Sequence, residues 1–236
     1  MHRLEEIRLR AEQPLSVRIS GVKYFVSREG VMLDRPYGAY IVSKDECIET
    51  ISRATEYSIY ASDRTISKGY ITVKGGLRIG VAGEGIGEGE YIKSVKNIMS
   101  ICIRIPRQIM SAADNVARYV IRNNSITSAL IVSPPGMGKT TILRELARLS
   151  SEKGCNVAIV DERSELAACS GGVPQFRLGP RCDVLDSVNK AEGIMMMVRS
   201  MSPDIVVTDE IGRDEDAEAI LTALSSGVKV FASLHG

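Results

Sequence analysis

From residue 128 onward, short aliphatic runs alternate with longer amphipathic stretches. The runs ALIVS (129–133), NVAIVD (156–161), DIVVTDE (204–210) and VKVFASL (228–234) are continuous rather than alternating, which predicts strands buried on both faces of a parallel sheet. Between them, helices are expected near 139–152, 187–201 and 213–225. The repeated strand–helix–strand order predicts a doubly wound α/β domain. Met195, Met196 and Met197 fall inside the second helix and read as helix core.

The first half has a different rhythm. LSVRIS and KYFVS (within 15–27) read as two short strands around Gly21-Val22. Ser43 to Thr55 reads as a helix, because Ser43 with Glu46 forms a capping box and Ile48, Ile51 and Ala54 share a face. GYITVKGGLRIGVA (69–82) predicts a hairpin turning at Gly75-Gly76. Glycines continue at 80, 83, 85, 87 and 89; with no strand-to-helix context they predict a flexible hairpin or loop, not a dinucleotide loop. SICIRI (100–105) is a strand, and a helix is expected near 112–123. The pattern therefore divides into an α+β N-terminal domain (1–110), a linker helix (111–126) and an α/β domain (127–236).

Composition adds limits. Apolar residues make up 44% and charged residues 25%, ordinary for a soluble globular protein. Net charge is +1, but residues 1–125 hold 19 Lys/Arg against 14 Asp/Glu, and 126–236 hold 11 against 15. The split is either ordinary solvated faces or a basic domain facing phosphates or an acidic neighbour. No apolar run reaches the roughly 18 residues of a membrane span, and MHRLEEIRLR is no secretory signal. The five cysteines are scattered without a Cys-x-x-Cys pair, which argues against zinc and disulfides and fits a reducing cytoplasm. With only His2 and His235, a His-rich metal site is excluded. The chain stops just after an apolar run without a capping element, which reads as a polypeptide shortened at one or both ends.

The chemistry concentrates at strand ends. Ser133-Pro134-Pro135-Gly136-Met137-Gly138-Lys139-Thr140-Thr141 follows a buried strand and opens a helix, the context of a phosphate-binding (Walker A) loop for ATP with Mg²⁺. Glycines there let backbone N–H groups aim at phosphate oxygens, and the helix N-terminus adds partial positive charge. Lys139 is expected at the β- and γ-phosphates, the Thr140 hydroxyl on Mg²⁺, and Thr141 at the α-phosphate. Ser133 stands where the pattern has its first Gly; it can begin the turn if its φ is negative. Asp209 and Glu210 end an apolar strand as a Walker B pair: Asp209 for the metal shell, Glu210 to orient and polarise the attacking water. Glu162 and Glu165 are either acids near the γ-phosphate or favourable first-turn acids of a capped helix. His235 is either a γ-phosphate sensor or a loop histidine.

These motifs, with GYITVKGGLRIGVAG (69–83), GPRCDVLD (179–186) and RSMSPDIVVTDEIG (199–212), resemble the stage III sporulation protein AA family of endospore-forming bacteria, related to type II/type IV secretion ATPases. The resemblance implies a RecA-like P-loop NTPase domain with a smaller α+β N-terminal domain. It implies a homo-oligomer, a hexamer, that hydrolyses ATP as a motor and docks on membrane proteins of a channel complex between mother cell and forespore. The location would be cytoplasmic, or peripheral at the membrane through that complex. Asp161–Glu165 match the family's aspartate box and His235 its histidine box, and the family's chain continues past Gly236. Leu77 stands where the family leads one to expect His. Arg78, Arg104 and Arg107 match arginines that approach the phosphates, though surface solvation or ion pairing accounts for each as well; Arg181 and Arg199 are alternatives. Two other readings stay open: a single-stranded nucleic-acid-binding ATPase, disfavoured as a first reading by the absence of Trp and the three Phe, and an ATP-binding scaffold with little turnover.

Overall fold

The structure is a computed structural model that describes residues 4–55, 69–88, 91–122 and 125–236. Gly89, Asn123 and Asn124, which belong to the glycine run and the expected linker helix, lie outside these residues. The chain divides into two compact units, Met1–Pro106 and Arg107–Gly236.

In the first unit the elements run β1 (Leu4–Arg10), β2 (Gln13–Pro14), β3 (Ser16–Ile19), β4 (Val22–Val26), β5 (Met32–Leu33), β6 (Ile41–Val42), α1 (Lys44–Ala54), β7 (Tyr70–Val73), β8 (Leu77–Glu88) and β9 (Tyr91–Arg104). Their main sheet is antiparallel, in the order β5-β4-β3-β1-β9-β8-β7. Alternation sorts its faces. Ile79, Ile103, Ile7 and Val17 face one another in one row, on the side where Ile79, Ile101, Cys47, Ile51 and Val42 make the core with α1. The next row holds Arg78, Arg104, Glu6 and Arg18 on the opposite face. At the start of α1 both bonds of the capping box form: Glu46 N–H donates to the Ser43 hydroxyl at 3.2 Å, and Ser43 N–H to the Glu46 carboxylate at 2.8 Å.

Two features of this unit add to the sequence reading. The segment Leu4–Arg10 is a central strand, although its charges hide the pattern; Arg8 and Arg10 stand on the polar face and Ile7 and Leu9 on the other. Of the hairpin or loop expected at the glycines 83, 85 and 87, the structure has the hairpin. These glycines continue β8, which pairs with β9 out to Glu88↔Tyr91, with register irregularities at Ala82/Glu84 and Ile86/Gly87. At Gly83 any Cβ would meet the Lys96 and Asn97 carbonyl oxygens at 2.6 Å, so glycine there reflects close backbone approach at a bulge.

The second unit runs α2 (Asp114–Val120), β10 (Ile121–Arg122), β11 (Ser125–Ile126), β12 (Ala129–Val132), α3 (Lys139–Glu152), β13 (Val157–Asp161), β14 (Cys182–Asp186), α4 (Lys190–Met201), β15 (Ile205–Glu210), α5 (Asp214–Ser225) and β16 (Lys229–Leu234). The parallel sheet has the order β12-β16-β15-β13-β14. Odd positions (Val157, Ile159, Ile205, Val207, Phe231) join Leu143, Leu146 and Ala147 of α3 in one core. Even positions (Ala158, Val160, Val206, Val230, Ala232) join Ile194 and Met197 of α4 and Ala219, Ile220 and Ala223 of α5 in the other. Helices on both faces are what continuous aliphatic strands require.

Three details correct the sequence reading. β12 is an edge strand whose Leu130 and Val132 are about half exposed, so it is not buried on both faces. The strand β14 lies where none was expected. The segment expected as a linker helix is the shorter α2 followed by a small β10–β11 hairpin. Ala113, Val120 and Ile121 insert into the α3 core, so this segment belongs to the second unit.

Candidate active site

The strand order brings the chemistry together. β16 lies between β12 and β15, so the residue after β16 sits between the loop after β12 and the acids ending β15. In an open parallel sheet this carboxyl edge is where ligands collect.

The loop after β12 ends at Gly138, the N-cap of α3, with φ +86; Gly136 has φ +78. A Cβ at either would meet no atom within 4 Å, so the need for glycine is conformational. Ser133 is not among the residues with positive φ, which explains why serine is tolerated at the turn's first position. α3 has no side-chain cap and no acid in its first turn, whereas α1, α4 and α5 all carry first-turn acids. Its N-terminal partial charge is thus left for an anion. Buried Lys139 points its Nζ at Ser133 O (2.5 Å), Pro134 O (3.1 Å) and His235 Nδ1 (3.0 Å).

A lysine ammonium can only donate, so His235 Nδ1 accepts and its Nε2–H faces Glu210 Oε2 at 2.9 Å. Lys139, His235 and Glu210 thus form one line from the loop to the acid. The β15–β16 register slips by one residue between Val207 and Glu210. In a regular strand Asp209 and Glu210 point to opposite faces; the irregularity re-aims them, as bulges beside active sites do. Asp209 pairs with Lys190 Nζ at 3.0 Å. Burial pushes the Asp209 carboxyl up, the Lys190 charge and hydrogen bond pull it back, and Glu165 and Glu162 add to the upward push.

Of the acids after β13, Asp161 is fully buried and used by the backbone: its carboxylate accepts N–H bonds from Glu165 (2.8 Å), Leu166 (2.9 Å) and Ala167 (2.8 Å). Burial pushes it up to about 6, against the pull of the Ala167 and Glu165 N–H groups. Glu162 reaches Lys190 at 3.7 Å. Glu165 is half-buried, with its main-chain oxygen bonded to Arg144. No helix follows this strand end, so the alternative of first-turn helix acids falls away; the segment is an irregular loop with positive φ at Ser164 and Ala168.

Arg78 and Arg104 face each other across β8 and β9 in the first unit; Arg78 stacks on Tyr70 at 3.8 Å and Arg104 approaches Glu6 at 3.9 Å. Arg107 opens the second unit.

Two residues beside the site belong to no motif of the sequence. Lys190, 3% exposed, reaches Asp209 and Glu162 and donates to the Glu210 main-chain oxygen. It directly follows the N-cap Asn189, where a cation opposes the helix dipole; that misplaced charge was its one sequence signal. Arg144 donates to Leu166 O (2.7 Å) and Glu165 O (2.6 Å) and lies over the Phe176 ring at 3.9 Å. Burial lowers its pKa to about 10. Nothing in the local sequence of α3 separates it from a solvated arginine.

The donors fit magnesium and a triphosphate. Thr140 and Asp209 offer hard oxygens, and there is open space beside Gly136 and Gly138 of the turn. Among the described residues no group of three or more His, Cys, Asp or Glu is arranged to hold a metal; magnesium bound with phosphates needs only one or two protein oxygens.

Known proteins share this fold. The pilus retraction motor PilT, solved with bound ADP, superposes with TM-score 0.65 at 18% identity, covering 99% of this chain and 63% of that one. The ATPase DotB of Legionella pneumophila gives TM-score 0.57 at 16% identity, covering 99% and 62%. The chain thus spans less than two thirds of these structures, and at such identities the likeness is one of fold: a RecA-like α/β domain preceded by a smaller α+β domain. Stage III sporulation protein AA of Bacillus subtilis (strain 168) is 43% identical over 238 residues, 99% of this chain and 73% of that protein. The family model described as sporulation stage III, protein AA matches residues 1–236, and the chain belongs to that family.

Proposed function

We propose that this chain binds ATP with Mg²⁺ on Ser133–Thr141 and hydrolyses it as a motor subunit of secretion-ATPase type. The observation that carries the reading is the line from Lys139 through His235 to Glu210, which ties the loop to the acid. The loop N–H groups and the α3 N-terminus hold phosphate oxygens. Lys139 exchanges the Ser133 and Pro134 carbonyls for the β- and γ-phosphates. Thr140 and Asp209 hold the metal, which when bound neutralises charge on the transferred phosphoryl group. Glu210, oriented by His235, positions the attacking water and takes its proton. Glu162 and Glu165 set the negative field around Asp209. One or more of Arg78, Arg104 and Arg107 supplies a further cation to the phosphates when subunits assemble.

In the cell, the motor works in sporulation as a homo-oligomer, a hexamer, powering a channel complex between mother cell and forespore. No helix among the described residues is long and apolar enough to cross a membrane, so membrane contact in this reading comes through partner proteins. Glu210→Gln tests the chemistry. Nucleotide binding should persist while phosphate release falls about 10²-fold or more; turnover equal to the unaltered chain would remove Glu210 from this role.

A further inference from the structure

Lys190 is the most deeply placed cation beside the site, and the function proposed above does not use it. Its side chain is buried, and a buried ammonium persists only where oxygens surround it. Its partners converge from two adjacent strand ends: Asp209 Oδ1 at 3.0 Å and the Glu210 main-chain oxygen from β15, and Glu162 Oε2 at 3.7 Å just past β13. It begins α4, where the dipole disfavours a cation, so helix formation does not account for it. At Glu210 it grips the carbonyl and not the carboxylate, at the end of the stretch where the β15–β16 register slips. The carboxylate of Glu210 is thereby left to His235.

We propose that Lys190 is a positioning residue for the acid pair. Its ammonium fixes the main chain at Glu210, and its charge, shared with Asp209 and Glu162, lowers the affinity of the acid cluster for a divalent cation. The inference rests on reading Asp209 as a metal-holding acid and Glu210 as the acid that orients water. It separates two effects that a scaffold role would not. Loss of the charge tightens magnesium binding, because a positive neighbour of the incoming cation is gone. Loss of the grip on Glu210 slows turnover.

The test uses the chain with a fluorescent, non-hydrolysable ATP analogue titrated with MgCl₂, alongside phosphate release from ATP. Lys190→Met should lower the magnesium half-saturation concentration at least threefold and turnover at least tenfold. Lys190→Arg, which keeps the charge, should hold the unaltered magnesium curve. Lys190→Gln replaces the Met variant if circular dichroism shows that the latter does not fold. A fall in turnover with an unmoved magnesium curve marks a scaffold ion pair and overturns the proposal. So does a Lys190→Arg curve shifted like that of Lys190→Met, or unfolding of both neutral variants. If the unaltered chain binds no analogue at any magnesium concentration, the ATP reading itself fails instead.

Discussion

Replacing Arg144 by Met removes the tie between the helix that begins at Lys139 and the loop that carries Glu162 and Glu165. Arg144 donates through Nε to Leu166 O and through Nη2 to Glu165 O, and covers Phe176. Two bonds from a charged donor contribute about 1.5–3 kcal/mol each, and a desolvated cation–π contact about 2 kcal/mol. Against this stands the cost of burying the charge. A pKa lowered from 12.5 to about 10, burial outweighing the opposite pull of Asp161, Glu165 and Glu145, puts the net cost near 3 kcal/mol, at about 1.36 kcal/mol per pKa unit. The net loss in Arg144→Met is therefore about 2–5 kcal/mol, since Met refills much of the volume but leaves the fully buried Leu166 without its donor. Urea unfolding followed by far-ultraviolet circular dichroism reads this as a lower midpoint. Amide hydrogen exchange of 161–170 should accelerate in parallel. Arg144→Lys keeps a charge but not the fork or the stacking, and should fall between. An unchanged midpoint with unchanged exchange in Arg144→Met would refute the claim that this arginine holds the loop.

Other outcomes follow from the same geometry. The Asp161 pKa, raised by burial from 3.8 to about 6, means that the folded chain holds a proton the unfolded chain releases. This group's stabilisation is fully present below about 3.8, is lost as pH rises through about 6, and is worth up to about 3 kcal/mol; Asp161→Asn should flatten that part of the stability–pH curve, and parallel curves would contradict the shift. Gly138→Val should abolish nucleotide binding and cost about 1–3 kcal/mol of stability, because φ +86 strains a β-branched residue although a Cβ finds open space; retained binding would show that the turn geometry is dispensable. Mass measurement with a non-hydrolysable analogue should show a hexamer, and a monomer at all concentrations would contradict the motor assembly.

Much of the second unit was legible because its strands are aliphatic on both faces and its loop has a fixed order of turn glycines, lysine and threonine. Ser43 and Glu46 announced their helix because a capping box is local. What escaped notice was non-local or disguised. Leu4–Arg10 reads as charged because one face of that central strand carries arginines. The glycines of β8 signal a flexible hairpin or loop without showing how far its strands pair, and only at Gly83 does close backbone approach to β9 account for the residue. β12 has the same composition as its neighbours, and only its position at the sheet edge leaves Leu130 and Val132 exposed. At the site, Lys139, Asp209 and Glu210 stood out by motif, and His235 by its place after a strand. Lys190 and Arg144 gain meaning only when the fold brings them to partners about 20 residues away, Lys190 to the Glu210 carbonyl and Arg144 to Glu165 and Leu166.

The proposed function stands or falls on whether the turn from Ser133 to Thr141 holds ATP with magnesium. Isothermal titration of the chain with a non-hydrolysable ATP analogue and MgCl₂, beside the Lys139→Met variant, tests it most directly. Saturable one-to-one binding to the unaltered chain is expected, with a loss of at least tenfold in the variant. Equal affinity in the two, or no binding to the folded unaltered chain, would contradict it.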